Sequence, residues 1–152
     1  ERYGDGAKTF AVLVSTMPGM PLLYNGQESA MDKRLEFFKK DPIEWGDYAY
    51  QDFYTKLFKL KENNPALWNG TAGGELTSLD NGAPEDVYSF VRTKGENQVL
   101  VVLNLSDQQQ SISIKHDALQ GEYSNLFKDA TKNLKGTITR DLAPWEYIVY
   151  HK

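Results

Sequence analysis

Glu28, Asp32 and Glu36 recur at intervals of four residues, a spacing that would set three carboxylates on one face of a helix. Glycoside hydrolysis needs such groups in pairs, one protonated and one ionised, on the two sides of the scissile bond. Lys33, Arg34, Lys39 and Lys40 lie among these acids, and a solvated mixed-charge segment accounts for the pattern more economically. Other chemistries find less. The chain has no cysteine and only two histidines, His116 and His151, so a thiol nucleophile, a disulfide framework and a thiolate metal site are excluded. Both histidines stand near the ends of strand-like runs, and no nucleophile-elbow pattern accompanies them. Two separated histidines define no ligand spacing, and neither glycine-rich phosphate motif is present. No metal site and no cofactor are expected.

Aromatic side chains are the richest resource, with nine Tyr, seven Phe and three Trp. Ring faces bury the apolar faces of sugars while the hydroxyls find polar partners. Phe53, Tyr54 and Phe58 occupy positions that core packing would claim, and Phe90 and Tyr147 could alternate into a β interior. Trp45 and Trp68 fall in loop-like segments and are the candidates for sugar stacking.

Two kinds of sequence position these residues. Over residues 1–67 the pattern reads helix, short strand, helix. Phe10, Leu13, Val14 and Met17 follow helical spacing, with Asp5 as an N-cap and Pro18-Gly19 as the stop. Met20–Tyr24 then predicts a short buried strand that leaves through Asn25-Gly26. The segment from Gln27 to Asp47 reads as irregular. Tyr50, Phe53, Tyr54, Leu57 and Leu60 mark the buried stripe of a second helix over about Ala49–Glu62, closed by Pro65. Gly70, Gly73 and Gly74 mark a linker or turn.

Beyond Trp68, β-type runs follow at 75–79, 87–93, 98–105, 110–115, 121–125, 136–139 and 147–151. Turn residues separate them at Asn81-Gly82, Gly95, Asp107 and Lys135-Gly136. The unbroken apolar run Val99–Leu103 predicts a central strand covered on both faces. The fold class expected is mainly β with an α/β N-terminal remnant: 1–67 as one unit and 68–152 as an antiparallel β-sandwich.

The totals limit the partners. The chain of 152 residues carries 17 basic and 21 acidic side chains for a net charge of −4, which speaks against a nucleic-acid surface. Hydrophobic residues make up 40%, ordinary for a globular protein, and no apolar run reaches the length of a membrane span. The start, Glu1-Arg2-Tyr3-Gly4-Asp5, has no apolar signal region and no initiator methionine. A natural chain beginning further upstream is expected, and the location of the protein stays unassigned.

The run Met17-Pro18-Gly19-Met20-Pro21-Leu22-Leu23-Tyr24-Asn25-Gly26-Gln27-Glu28 resembles the eighth-strand stretch of the barrel in the α-amylase family of glycoside hydrolases, roughly PGxPxxYxGxE. Gly19, Pro21, Tyr24, Gly26 and Glu28 match, and Gln27 is the common residue before the glutamate. Phe37-Phe38-Lys39-Lys40-Asp41-Pro42-Ile43-Glu44-Trp45 is similar to the segment before the family's final barrel helix. Asn64-Pro65-Ala66-Leu67 resembles the exit into its C-terminal domain, and Leu142–Tyr147 resembles the entry to that domain's last strand. The resemblance implies that 1–67 corresponds to helix seven, strand eight and helix eight of a (β/α)8 barrel, and 68–152 to the C-terminal all-β domain.

The family's retaining chemistry uses an Asp nucleophile, a Glu acid/base and a further Asp, all before the stretch matched by Met17–Glu28. No Asn-His-Asp run occurs in this sequence, so no catalytic residue carries over, and Glu28 takes a structural or supporting role. The resemblance implies a parent acting on α-glucosidic linkages of starch-like glucans, with this fragment catalytically inactive and the β domain stabilising the barrel. The partners implied are an α-glucan, the remainder of the barrel and a second copy of the fragment through self-association. The alternative is a non-catalytic carbohydrate-binding β-sandwich module.

Overall fold

A computed structural model describes residues 3–152. Helix α1 spans Ala7–Thr16 and helix α2 spans Gln51–Asn63. Short 3-10 turns occupy Gly4–Gly6, Pro65–Leu67 and Gly70–Ala72. The strands are β1 (Glu75–Ser78), β2 (Val87–Lys94), β3 (Asn97–Asn104), β4 (Gln110–Asn125), β5 (Thr131–Leu142) and β6 (Tyr147–His151).

The strands form one six-stranded antiparallel sheet in the order β1-β2-β3-β6-β4-β5. The expected two-sheet sandwich is thus corrected to a single curled sheet. Its continuity comes from β4, which pairs along β5 and also meets β6 at Ser124↔His151 and Asn125↔Tyr150. The curl buries Val91, Leu100, Val102 and Ile148 against Ile112, Ile114, Leu134 and Ile138 in one apolar cluster. On the other face Phe90, Val99, Val101, Leu103 and Val149 pack with Val12 of α1 and Phe53, Leu57 and Leu60 of α2. Strand β3 is therefore covered on both sides, as its unbroken apolar run predicts.

The runs 110–115 and 121–125 prove to be one long strand with an irregularity. Lys115 pairs with Thr137 and Gln120 with Lys135, so residues 116–119 bulge opposite Gly136 alone. Gly136 has φ 83° and a Cβ there would lie 2.9 Å from Gln120 Nε2. A glycine meets the demand for positive φ at a bulge. Lys135-Gly136, expected as a separating turn, instead lies within β5. His116 belongs to the bulge, where its Nδ1 accepts from the Ala118 N–H at 3.2 Å.

The helical half departs further from expectation. No strand forms at Met20–Tyr24; residues 17–50 hold turns and irregular chain. Pro21 lacks an N–H, and no neighbouring strand stands beside the segment to take up its remaining backbone groups. Met20, Leu22 and Tyr24 are exposed, so the helix-strand-helix barrel remnant is not evident as such. Asp5 lies inside the first 3-10 turn, and Gly6 precedes α1 with no side-chain cap. Helix α2 buries the stripe its spacing marks, Phe53, Tyr54, Leu57 and Leu60, whereas α1 buries Thr9, Ala11, Val12, Ser15 and Thr16 and leaves Val14 exposed, and Met17 falls past its end. Asn64 caps the exit turn by accepting from the Ala66 N–H at 3.0 Å, with Pro65 at the first position of that turn.

Candidate functional site

The Met17–Glu28 run folds as a self-tied loop between α1 and α2. Gln27 Oε1 accepts from the Tyr24 N–H at 2.6 Å, and Glu28 Oε2 accepts from the Gly26 N–H at 3.1 Å. Gly26 O receives the N–H groups of Ser29 and Met31, and Glu28 O receives the N–H of Tyr50 at 2.9 Å. This last bond fastens the loop to the start of α2. Gly26 is buried with φ 92°, and a Cβ on it would meet Met31 Cε at 2.8 Å. Only glycine meets both demands. Gly19 lies where the chain leaves α1, with φ 125°.

Beside this loop lies an open cleft of about 730 Å³ between the two helices. Phe10, Val14, Tyr54 and Phe58 form its helical walls, and Pro21 and Gln27 reach it from the loop. Tyr24, Gly26 and Glu28 are not among its lining residues. Burial raises the Tyr54 phenol above its ordinary range, with Tyr50 and Glu28 adding to the effect. Besides this phenol and the Gln27 amide, the carboxyl side chains of Asp5 and Asp32 line the cleft, and glycoside hydrolysis would require two such groups opposed across the scissile bond.

The acids singled out by spacing do not converge. No helix forms at 28–36. Asp41 accepts from Lys33 Nζ at 2.7 Å and from the Glu36 N–H at 3.0 Å, while Glu36 pairs with Lys39 at 2.7 Å. The Lys33 ammonium holds the Asp41 carboxyl below its usual range, which keeps it ionised and unfit as a proton donor. Among the described residues no group of three or more His, Asp or Glu could hold a metal ion, and no helix is long and apolar enough to cross a membrane.

The two tryptophans differ. Trp45, 41% exposed, stacks beside Tyr48 with ring centroids 6.0 Å apart. Trp68 is 43% exposed and gives its indole N–H to Glu62 O at 3.1 Å. With Phe58, Lys61, Glu62 and Asn69 it lines a shallow groove of about 380 Å³. The tryptophans are separate features and do not share one cavity.

Spacing gave no sign of Arg92. It is 1% exposed on β2, and its described hydrogen bonds all go to backbone oxygens. Its guanidinium donates to the backbone oxygens of Thr16, Leu67, Trp68 and Gly74 over 2.9–3.4 Å. Burial pulls its pKa below the usual guanidinium value, but an arginine remains charged. Gly73 and Gly74 are shaped to this contact: a Cβ on Gly73 would lie 1.8 Å from Trp68 O and 3.0 Å from Arg92 Nη2. One strand residue thus ties together the end of α1, the exit turn and the linker. The Gly73-Gly74 pair was its legible trace.

Residues 87–149, from β2 to β6, match the family described as the alpha-amylase SusG C-terminal domain. The chain belongs to the α-amylase family, as a C-terminal portion. Alpha-amylase 2 of Dictyoglomus thermophilum is 27% identical over 121 residues, 71% of this chain and 19% of that protein. A cyclomaltodextrin glucanotransferase of a Bacillus species is 30% identical over 118 residues, 76% of this chain and 16% of the other. The chain therefore spans a fifth or less of the curated α-amylase-family relatives it matches. A noncanonic maltogenic alpha-amylase, AmyB from Thermotoga neapolitana, shares the fold over 97% of this chain and 36% of its own, with TM-score 0.74 at 21% identity. The structure of AmyP in complex with maltose aligns over 95% of this chain and 34% of its own, with TM-score 0.71 at 17% identity.

Proposed function

We propose that the chain is the non-catalytic end of a retaining α-amylase-type glycoside hydrolase or transglycosidase. In this reading residues 1–67 correspond to helix seven, strand eight and helix eight of a (β/α)8 barrel, and residues 68–152 are the β domain that braces it. The nucleophile, the acid/base and the third carboxylate belong to barrel elements that precede the Met17–Glu28 run. The parent's substrate is an α-linked, starch-like glucan, cleaved through a covalent glycosyl intermediate. The fragment by itself is inactive, because nucleophile and proton donor are lost together. Gly19, Pro21, Tyr24, Gly26, Gln27 and Glu28 have structural roles, tying the loop to α2.

The observation that carries this reading is where the apolar surface lies. Among the described residues every exposed large hydrophobic except Trp68 falls between Tyr3 and Tyr48. Val14, Met20 and Leu22 line the cleft beside the motif loop, whereas among the described residues no strand carries an exposed large hydrophobic. An apolar face of this extent is a surface built to be covered. The remainder of the barrel is the proposed cover, and a second copy of this chain substitutes for it when the fragment is alone.

The test is made on the gene. The coding sequence upstream of Glu1 should contain an Asn-His-Asp run shortly before it. The product of the longer reading frame should release the α-anomer first from maltoheptaose, followed by 1H NMR. Absence of the run together with release of the β-anomer would overturn the proposal.

A further inference from the structure

We infer that the Trp68 groove, at the end of α2, is a binding site for a short α-glucan segment, separate from the cleft beside the motif loop. The ligand class rests on the function proposed above. The site itself rests on its own geometry. The indole is held in place by its N–H bond to Glu62 O while the residue stays 43% exposed. Its floor is equally fixed. Lys61 Nζ donates to Leu67 O at 2.7 Å and to Asn69 Oδ1 at 3.2 Å, so one ammonium clamps the backbone before Trp68 and the side chain after it. Burial and the nearby Arg92 lower the Lys61 pKa, in keeping with an ammonium drawn into the protein rather than left in water.

What remains around the ring is the chemistry a pyranose needs. Phe58 lines the same groove with an apolar ring, and Glu62 and Asn69 line it as residues that carry an acceptor and a donor. A sugar ring has an apolar face for the indole and equatorial hydroxyls for such a rim. A groove of about 380 Å³ falls at the small end of the range for small-molecule sites, suited to a di- or trisaccharide stretch. Trp45 instead stacks beside Tyr48, with ring centroids 6.0 Å apart. A neighbouring barrel segment is the competing occupant of the Trp68 groove, and binding decides between them.

The experiment titrates the 152-residue chain with maltoheptaose and, separately, cellohexaose. It follows the three indole N–H resonances by NMR, with far-UV circular dichroism as the folding control. The expected result is a saturable shift of the Trp68 signal with maltoheptaose. Trp68→Ala should weaken binding by about tenfold or more, and Trp68→Phe, which keeps a ring, by less. Trp45→Ala should leave affinity unchanged. Equal affinity in folded Trp68→Ala, or no shift with either sugar, would overturn the site. A Trp68 shift with cellohexaose alone would keep the groove but overturn the α-glucan assignment, and with it the function on which that assignment rests.

Discussion

Residues 3–67 and 68–152 bury their side chains to different ends. In the second region β3 is sealed on both faces and Trp68 is the exposed large hydrophobic among the described residues. The first region seals only one side. Val12, Phe53, Leu57 and Leu60 pack on the sheet, while Val14, Met20, Leu22, Phe37 and Phe38 face solvent, the last two at 89% and 93% exposure. The same chain therefore carries a finished surface and an unfinished one. One face of the sheet is thus completed by helices from the first region, whose own outward side stays uncovered.

The junction between the two regions is where disruption should cost most. Arg92→Met strips hydrogen bonds from four backbone carbonyls and should destabilise the chain by about 3–5 kcal/mol, read from urea midpoints. Hydrogen exchange should quicken first at Thr16 and 64–74, with β4 and β5 less affected. A uniform loss across the sheet would show that Arg92 is not a junction device. Leu57→Ala, within the face shared by α2 and the sheet, should cost about 2–5 kcal/mol. An effect under 1 kcal/mol in the same urea titration would mean that the helices contribute little to the sheet's stability.

Gly136→Ala tests the second region by itself. The positive φ and the Gln120 contact should cost about 1–2 kcal/mol, leaving the helices' exchange rates unchanged. A smaller effect belongs to His151, whose pKa burial lowers from 6.5. The unfolded chain then takes up a proton below about pH 6.5 before the folded chain does. Stability should accordingly fall as pH drops from the ordinary imidazole value toward the lower folded one. Urea midpoints at pH 7.5 and 5.5 should differ less in His151→Gln. The smallest stability effect, within about 0.5 kcal/mol, is expected for Met20→Ser with Leu22→Ser. The wild-type fragment should self-associate in light scattering at high concentration and this double variant less so. A clean wild-type monomer would contradict the uncovered-surface reading.

Much of this was legible in the residues, for identifiable reasons. Helix α2 announces itself by Phe53, Tyr54, Leu57 and Leu60, because helix period and burial agree there. Strand β6 was bounded residue for residue at 147–151, since an apolar run between turn residues permits little else. Met20–Tyr24 read as a strand for the same local reason, but a strand exists only with a pairing partner, and the segment has none here. Lys135-Gly136 reads as a turn but lies within β5, because Gly136 looks alike in a turn and opposite a bulge, both of which want positive φ. The single curled sheet could not be read from strand lengths, because the β4–β6 join is a long-range pairing. Arg92 was invisible because its partners are backbone carbonyls, which leave no side-chain pattern beyond the adjoining Gly73-Gly74.

In the proposed reading this chain carries the fold of an α-amylase-family end without its chemistry. The direct measurement is reducing-sugar release from soluble starch by the purified 152-residue chain and by Glu28→Gln. The account predicts no release above buffer for either protein. Turnover by the wild-type chain that is lost in folded Glu28→Gln would contradict it.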